Sequence, residues 1–505
     1  MIMHINNTFK TQIMKHNYFS TLVIALMVTI GFYSCQQADP EGEPALTQCL
    51  TPTSLSCTVN EYEASFTWTA TKDAESYNLV IAKDAEFATT VEAVVVAPDA
   101  LPYVVTLEEG DYYFKVQATS TTLDPSNWAV YEDVVKVLGD TRPAVDLSAT
   151  ATANCYVVSQ EGKYKFKPTK GCTADPVGEI AKVELLWETS SEDVDAALAV
   201  NSVISKVALT ADGYVEFTTP KTFKPGNALI AVKSVETVTD ETTGLPAEKE
   251  TVLWSWHIWL TSEPIADVTV SEGFVLMDRN IGELSASART SMLYQWGRKD
   301  PFPGTVGSAK KVAVAGIATT SRTDNASVDY SIKNPTVLGA AKTEYTDGKA
   351  QSVHAEYYAR LWGEDVKDKT MHDPCPAGYK VPWAFEGGVS GIKTDNKIAN
   401  TRFAALAGLT YANSAFSMTS PAISFYGTGF YNFSGGADAP VSAEMQMSTD
   451  SFTLWTATCC GSNKKRSAGC IHGSATGVEF IVSVNDTAVK YNGRAAAYPI
   501  RCEKM

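Results

Sequence analysis

Four histidines follow the opening apolar run of this 505-residue chain: His257, His354, His372 and His472. They lie so far apart that a histidine base or a zinc site would have to be assembled by folding. No second histidine or acid stands at ligand spacing from His257, which reads as a hydrogen-bonded strand residue. Ready-made catalytic strings are absent: there is no GxSxG elbow, no HExxH and no phosphate loop, and the nearest string, GTVGSAKK, has the wrong spacing. A glycosidase's two carboxylates need no sequence signature, so that chemistry stays open. Asp278, Arg279 and Asn280 could orient a substrate, but an Asp–Arg pair also satisfies turn backbone by charge-assisted hydrogen bonds, and that structural use is the expectation. No metal and no cofactor is called for.

Cysteine chemistry is the other candidate. Beyond Cys35 nine cysteines remain, none in a CxxC pair. In an exported chain this favours bridges over metal binding. Proximity suggests Cys49 with Cys57, Cys155 with Cys172, and Cys470 with Cys459 or Cys460, though connectivity does not follow from spacing. An odd count leaves one thiol unpaired.

The case for export rests on the first 35 residues. Lys10, Lys15 and His16 precede the apolar run FSTLVIALMVTIGFY, which stops at Ser34-Cys35. That is the layout of a signal peptide, and from Tyr18 to Tyr33 the run is short for a spanning helix. The formal charge is −16; residues 1–34 hold two lysines and no acid, so without them 39 basic groups face 57 acidic ones, or −18. Nucleic acid is therefore not an expected partner. With 45% apolar and 19% charged residues, the composition is that of a globular chain rather than a disordered one.

A cysteine directly after the apolar run resembles the lipobox of bacterial lipoproteins, with Phe32 where leucine is usual. The acidic stretch QQADPEGEP resembles the surface-export signals of Bacteroidetes-type lipoproteins. The resemblance implies lipid attachment at Cys35, an outer-membrane location and a membrane partner reached through the lipid.

The chain is long enough for about three domains. Residues 1–34 read as the leader, 35–46 as an acidic tether, 47–139 and 145–262 as two β-sandwiches, and 265–505 as a loop-rich α+β segment. In the first sandwich, DYYFKVQA puts Tyr112, Phe114, Val116 and Ala118 on one face and Tyr113, Lys115 and Gln117 on the other, as a half-buried strand requires. Trp68 then reads as core. Trp68, Tyr77 and the run LEEGDYYFKVQA resemble a fibronectin type III module, which implies a spacer or interaction domain. In the second, TVLWSWHIWL carries bulky apolar groups on both faces, so at least one face is expected to be buried. The phrases ANCYVV and LWSWHIW resemble a module of fimbrillin-like surface proteins.

From 265 onward the texture is Gly-rich loops with scattered aromatics. Helix candidates surround Ala355–Leu361 and Asn400–Leu406, and Gly304–Glu344 reads as a long loop. FVLMDRNIG, LYQWGRKDPFP, MHDPCPAGYKVP and YPIRC resemble the major paralogous domain named after Fibrobacter, over about 240 residues. That implies a C-type-lectin-like fold, and it implies that Cys375 pairs with Cys502; the competing assignment joins Cys502 to Cys459 or Cys460. The calcium tripeptides of sugar-binding lectins are absent, and Leu454-Trp455-Thr456-Ala457 departs from the family's usual phrase. The expected ligand surface is a set of loop aromatics, Tyr294, Trp296, Trp362, Tyr426, Tyr431 and Trp455. The expected function is non-catalytic binding of a glycan or protein, with a fimbria-like or polysaccharide-uptake subunit and a polysaccharide-acting enzyme as alternatives.

Overall fold

The computed structural model describes residues 47–189, 202–240, 242–289, 291–304, 318–319, 328–338, 360–363, 367–386, 397–434, 442–446, 450–458, 468–482 and 496–505. Cys35 with the leader and tether, His354, Cys459, Cys460, most of the 304–344 stretch and all but the last two positions of the helix candidate at 355–361 lie outside them. The chain is strand-dominated and multidomain. It divides into two compact units, 1–139 and 140–505.

The first unit is a β-sandwich. Its strands are β1 (Thr53–Asn60), β2 (Glu63–Thr69), β3 (Ser76–Ala82), β4 (Thr90–Val96), β5 (Tyr103–Thr106), β6 (Gly110–Thr119), β7 (Ala129–Val130) and β8 (Val135–Val137). One sheet runs β1-β2-β5 and the other β4-β3-β6-β7, with β8 also on β6. The alternation read from DYYFKVQA holds: Tyr112, Phe114, Val116 and Ala118 are buried and the residues between them are not. Phe66 meets Phe114 edge-on at 4.9 Å, and Trp68 meets Tyr77 at 5.3 Å, which locks the two sheets face to face. Tyr112 Oη donates to the Glu108 carbonyl at 2.9 Å, so the strand is pinned at its entry.

The second unit opens with another pair of sheets. Its strands are β9 (Val145–Asp146), β10 (Cys155–Val158), β11 (Lys163–Phe166), β12 (Lys182–Thr189), β13 (Lys206–Leu209), β14 (Val215–Thr218), β15 (Gly226–Thr239) and β16 (Pro246–Leu260). The orders are β10-β16-β15-β12 and β13-β14-β11-β9. From Trp254 to its end every residue of β16 is buried. Trp254, Trp256, Ile258 and Leu260 face the sandwich core with Tyr156, Phe166 and Phe217, while Trp259 joins Cys155, Tyr294 and Trp455 in a core built largely by residues beyond 265. Both faces are thus covered, which is why this strand carries no polar alternation. Each fully buried indole contributes roughly 4–6 kcal/mol of gross burial before chain entropy is charged.

The segments 145–262 and 265–505 therefore share a core across the boundary expected from sequence. Asn154 is the hinge pin: its Nδ2 donates to the carbonyls of Met371 at 2.7 Å and Asp373 at 2.9 Å, and its Oδ1 accepts from Trp254 Nε1 at 2.9 Å. Beyond 265 the sheets are small and the loops long, and a second aromatic core gathers Phe274, Phe403, Phe416, Phe425 and Phe452. The candidate helix at 400–406 is instead two short 3-10 turns, Ile398–Asn400 and Ala404–Gly408. The α-helix in the described residues, Val328–Lys333, falls inside the stretch read as loop.

Cys375 and Cys502 are joined, with Cα atoms 6.0 Å apart. The bridge sits beside the antiparallel contact of Tyr379–Lys380 with Glu503–Lys504, so it ties down the C-terminal strand. Two expected pairings are corrected: Cys49, Cys57, Cys155 and Cys172 are all free, as is Cys470. Cys49 and Cys57 pack as apolar groups on the first core, while Cys155 faces His257 and Cys172 Sγ reaches the Lys369 carbonyl, so the last two thiols point to different partners.

Candidate functional site

The loop aromatics expected to form a ligand surface are mostly core. Tyr294, Trp296, Trp362, Tyr431 and Trp455 are buried, and Tyr426 alone is partly exposed. Their polar atoms point inward too. Trp296 Nε1 donates to the Thr456 carbonyl at 2.9 Å, Trp362 Nε1 to Arg298 O at 3.2 Å, Trp455 Nε1 to Tyr294 O at 2.8 Å and Tyr431 Oη to Pro303 O at 2.8 Å. In a segment with small sheets, loop backbone must be satisfied by side chains, and indoles and phenols supply both the donor and the apolar area.

The phrases that carried the chemical suspicion are also structural. Asp278 grips Arg279 through two bonds of 2.9 Å, and Asn280 gives its N–H and Nδ2 to Glu283 at 2.7 and 2.6 Å. Arg501 closes the cluster by donating to Asn280 Oδ1 at 2.9 Å and to the Asp278 carbonyl at 3.1 Å. Lys299 Nζ, buried with Asp300, reaches Asp300 Oδ1 at 2.6 Å and Ser255 Oγ at 2.6 Å, binding the loop to β16. Burial pulls its pKa down to about 8 against the pull of Asp300. Asp373 accepts from the Cys375 and Val381 backbone N–H groups, each at 2.8 Å.

Sequence reasoning missed one constellation. Parallel pairing of β10 with β16 sets Cys155 opposite His257, and β15 brings Asn227 alongside. Cys155 Sγ lies 3.4 Å from His257 Nδ1, and His257 Nε2 lies 2.8 Å from Asn227 Oδ1. This is the bonding order of a Cys–His–Asn catalytic triad. The ring tautomer is the one such a triad uses, and it is burial that stands against catalysis. Asn227 Nδ2 already donates to the Gly282 carbonyl at 2.9 Å, so its Oδ1 accepts and His257 carries its proton on Nε2. Nδ1 is then an acceptor, shared by the Cys155 thiol and by Tyr294 Oη at 3.4 Å.

Burial pushes the Cys155 thiol well above its ordinary range and pulls His257 down to about 3. Neither a thiolate nor an imidazolium is stable there, and Cys155, Asn227, His257 and Tyr294 are all buried. The group acts as a polar lock between β16 and the segment beyond 265. Among the described residues no cluster of three His, Cys, Asp or Glu side chains is arranged to hold a metal.

What lies open is a groove of about 460 Å³ in the second unit. One wall is Thr251–Trp254 of β16, another is the Val328–Lys333 helix, and Lys170, Val177, Met371 and His372 complete it. Leu253, Ile332 and Met371 supply a partly exposed apolar floor. Asp329 and Lys333 pair at 2.8 Å on the rim. The His372 ring lies tilted by 33° against Trp254, ring centres 6.1 Å apart, and burial, helped by nearby Lys299, pulls its pKa down to about 4, so it presents a neutral ring. Trp254 sits on Asn154 and under Lys299 Nζ at 4.6 Å, which makes that wall rigid. In the sequence the groove had no signature beyond the both-sided apolar strand.

No protein-family model and no curated protein matches the chain. Among solved structures it is similar to the fn3 domain of human contactin 1, at 22% identity over 23% of this chain and 91% of that one, with a TM-score of 0.15. It is also similar to a two-domain fibronectin type III segment of chicken tenascin, at 9% identity over 39% of this chain and 97% of that one, TM-score 0.17. A third is an Fn3-like protein from Clostridium thermocellum, at 26% identity over 16% of this chain and 86% of that one, TM-score 0.12. At such scores these likenesses assign no function, and the first sandwich is defined by its own strand pairing and core.

Proposed function

We propose that the chain is a lipid-anchored protein of an outer-membrane surface that binds a glycan or protein ligand without catalysis, through the groove of its second unit. The observation that carries the reading is the groove's make-up: an open apolar floor against a rigid Trp254 wall, with charged groups confined to the rim. Ligand sites are of this kind, concave and largely apolar with a few polar groups that orient. Glycosidic cleavage needs two convergent carboxyl groups, whereas among the described lining residues Asp329 is the one acid, and it is held by Lys333. The lipid anchor rests on the sequence before Cys35.

The test is an array of glycans and host proteins probed with the full chain and with Ile332→Glu, which places a charge on the groove floor. Saturable binding weakened at least about tenfold by Ile332→Glu, with an unchanged thermal midpoint, supports the reading. Binding indifferent to Ile332→Glu, or product release from a polysaccharide, overturns it. Cys35→Ala should free the protein from membranes, since each buried methylene of an acyl chain contributes about 0.8 kcal/mol to anchoring.

A further inference from the structure

One flank of the first unit carries two edge strands. Among the described residues β4 pairs with β3 alone and β5 with β2 alone, so each ends its sheet. The two edges run along the same side of the sandwich, where Tyr103 Oη of β5 donates to Glu92 Oε1 of β4 at 3.3 Å. Edge strands are ordinarily blunted by lysine, proline, bulges or inward-turned charge. β4 reads TVEAVVV; its register irregularity sits at its start, opposite Ile81 and Ala82, which leaves Glu92–Val96 regular. Its one charge, Glu92, turns toward β5, while Ala93 and Val95 face solvent, Val95 at 66% exposure and Val104 on β5 at 52%. Elsewhere on this face Lys115 Nζ caps the rings of Phe87 at 4.4 Å and Trp128 at 4.8 Å.

We propose that two copies of this chain pair antiparallel through β4, centred on Val94, making one continuous sheet across two sandwiches. The strand is self-complementary in that register. Ala93 meets Val95 of the second copy twice on the exposed face, Val94 meets its own counterpart, and Glu92 falls opposite Val96, so no like charges oppose each other. The pairing joins unsatisfied backbone donors and acceptors in the manner of strand addition. It is small beside a standard interface of roughly 1,200–2,000 Å², so a reversible dimer in the micromolar range is expected. The surface lies in the first unit and does not depend on the groove.

The test uses the full chain in two ways. Mixing a chain carrying Ala93→Cys with one carrying Val95→Cys should give a disulfide-linked dimer on non-reducing gels well above the level of either alone, because directly opposed Cβ atoms lie about 4.5–5.5 Å apart. In sedimentation the wild-type chain should dimerise reversibly, and Val95→Lys, a surface change, should raise the dissociation constant at least about tenfold. A wild-type chain that stays monomeric at high micromolar concentration, a mixture that cross-links no better than its components, or a Val95→Lys dimer of unchanged strength overturns the proposal.

Discussion

The buried histidine of β16 makes acid stability a test of the polar lock. Removing the ionisable ring, as in His257→Gln, keeps a side chain able to bond Asn227. In the folded chain His257 is held at about 3, against 6.5 when unfolded, so between those values the unfolded chain binds the extra proton. Stability is therefore full above pH 6.5 and falls as the pH drops toward 3, by about 1.4 kcal/mol per unit. At pH 4.5, two units into the window, the wild type has lost about 3 kcal/mol through this residue alone. Protonation would also take Nδ1 from the Cys155 thiol and the Tyr294 hydroxyl, which both depend on it. The assay is denaturant unfolding from pH 8 to 4, followed by tryptophan emission, which reports the indoles packed around β16. The variant should start less stable at pH 8 and converge on the wild type as the pH falls. Two curves that stay parallel from pH 7 to 4.5 would refute the neutral-histidine assignment and with it the non-catalytic reading of the Cys155–His257–Asn227 group.

Breaking the Cys375–Cys502 bridge with Cys375→Ala and Cys502→Ala should cost the second unit up to about 4–5 kcal/mol, from the chain-entropy model, for a separation of 127 residues. The first sandwich should unfold at its original denaturant midpoint, and a shift of both transitions would count against two independent units. Gly171 has φ +59° and a Cβ there would press on the Met371 carbonyl, whereas Gly244, at φ +70°, has open space around it. Gly244→Ala should cost about 1–2 kcal/mol for the left-handed backbone alone, and Gly171→Ala clearly more, read from the same unfolding curves. Equal losses would show that residues 140–262 do not rest on Met371 as described.

The first sandwich was legible in the chain because each strand solves a local problem. Tyr112, Phe114, Val116 and Ala118 alternate with polar residues, and a strand with one wet face has to be written that way. The second β-segment was half legible: LWSWHIW announces burial on both faces, but the layer over the Ser255–His257–Trp259 face comes from residues beyond 265, and nothing in the strand names it. The aromatic set failed for a related reason. In loops without periodicity an exposed and a buried tryptophan look alike in sequence, and Trp296, Trp362 and Trp455 were sorted inward only by backbone carbonyls that folding delivered to their indoles. The tertiary structure alone made the Cys155–His257–Asn227 group, from residues up to 102 positions apart, and the groove beside Trp254, whose walls come from four separate stretches of chain. Periodicity is local and survives in the sequence; convergence depends on strand register and on what packs across a sheet, and it exists only once the chain has folded.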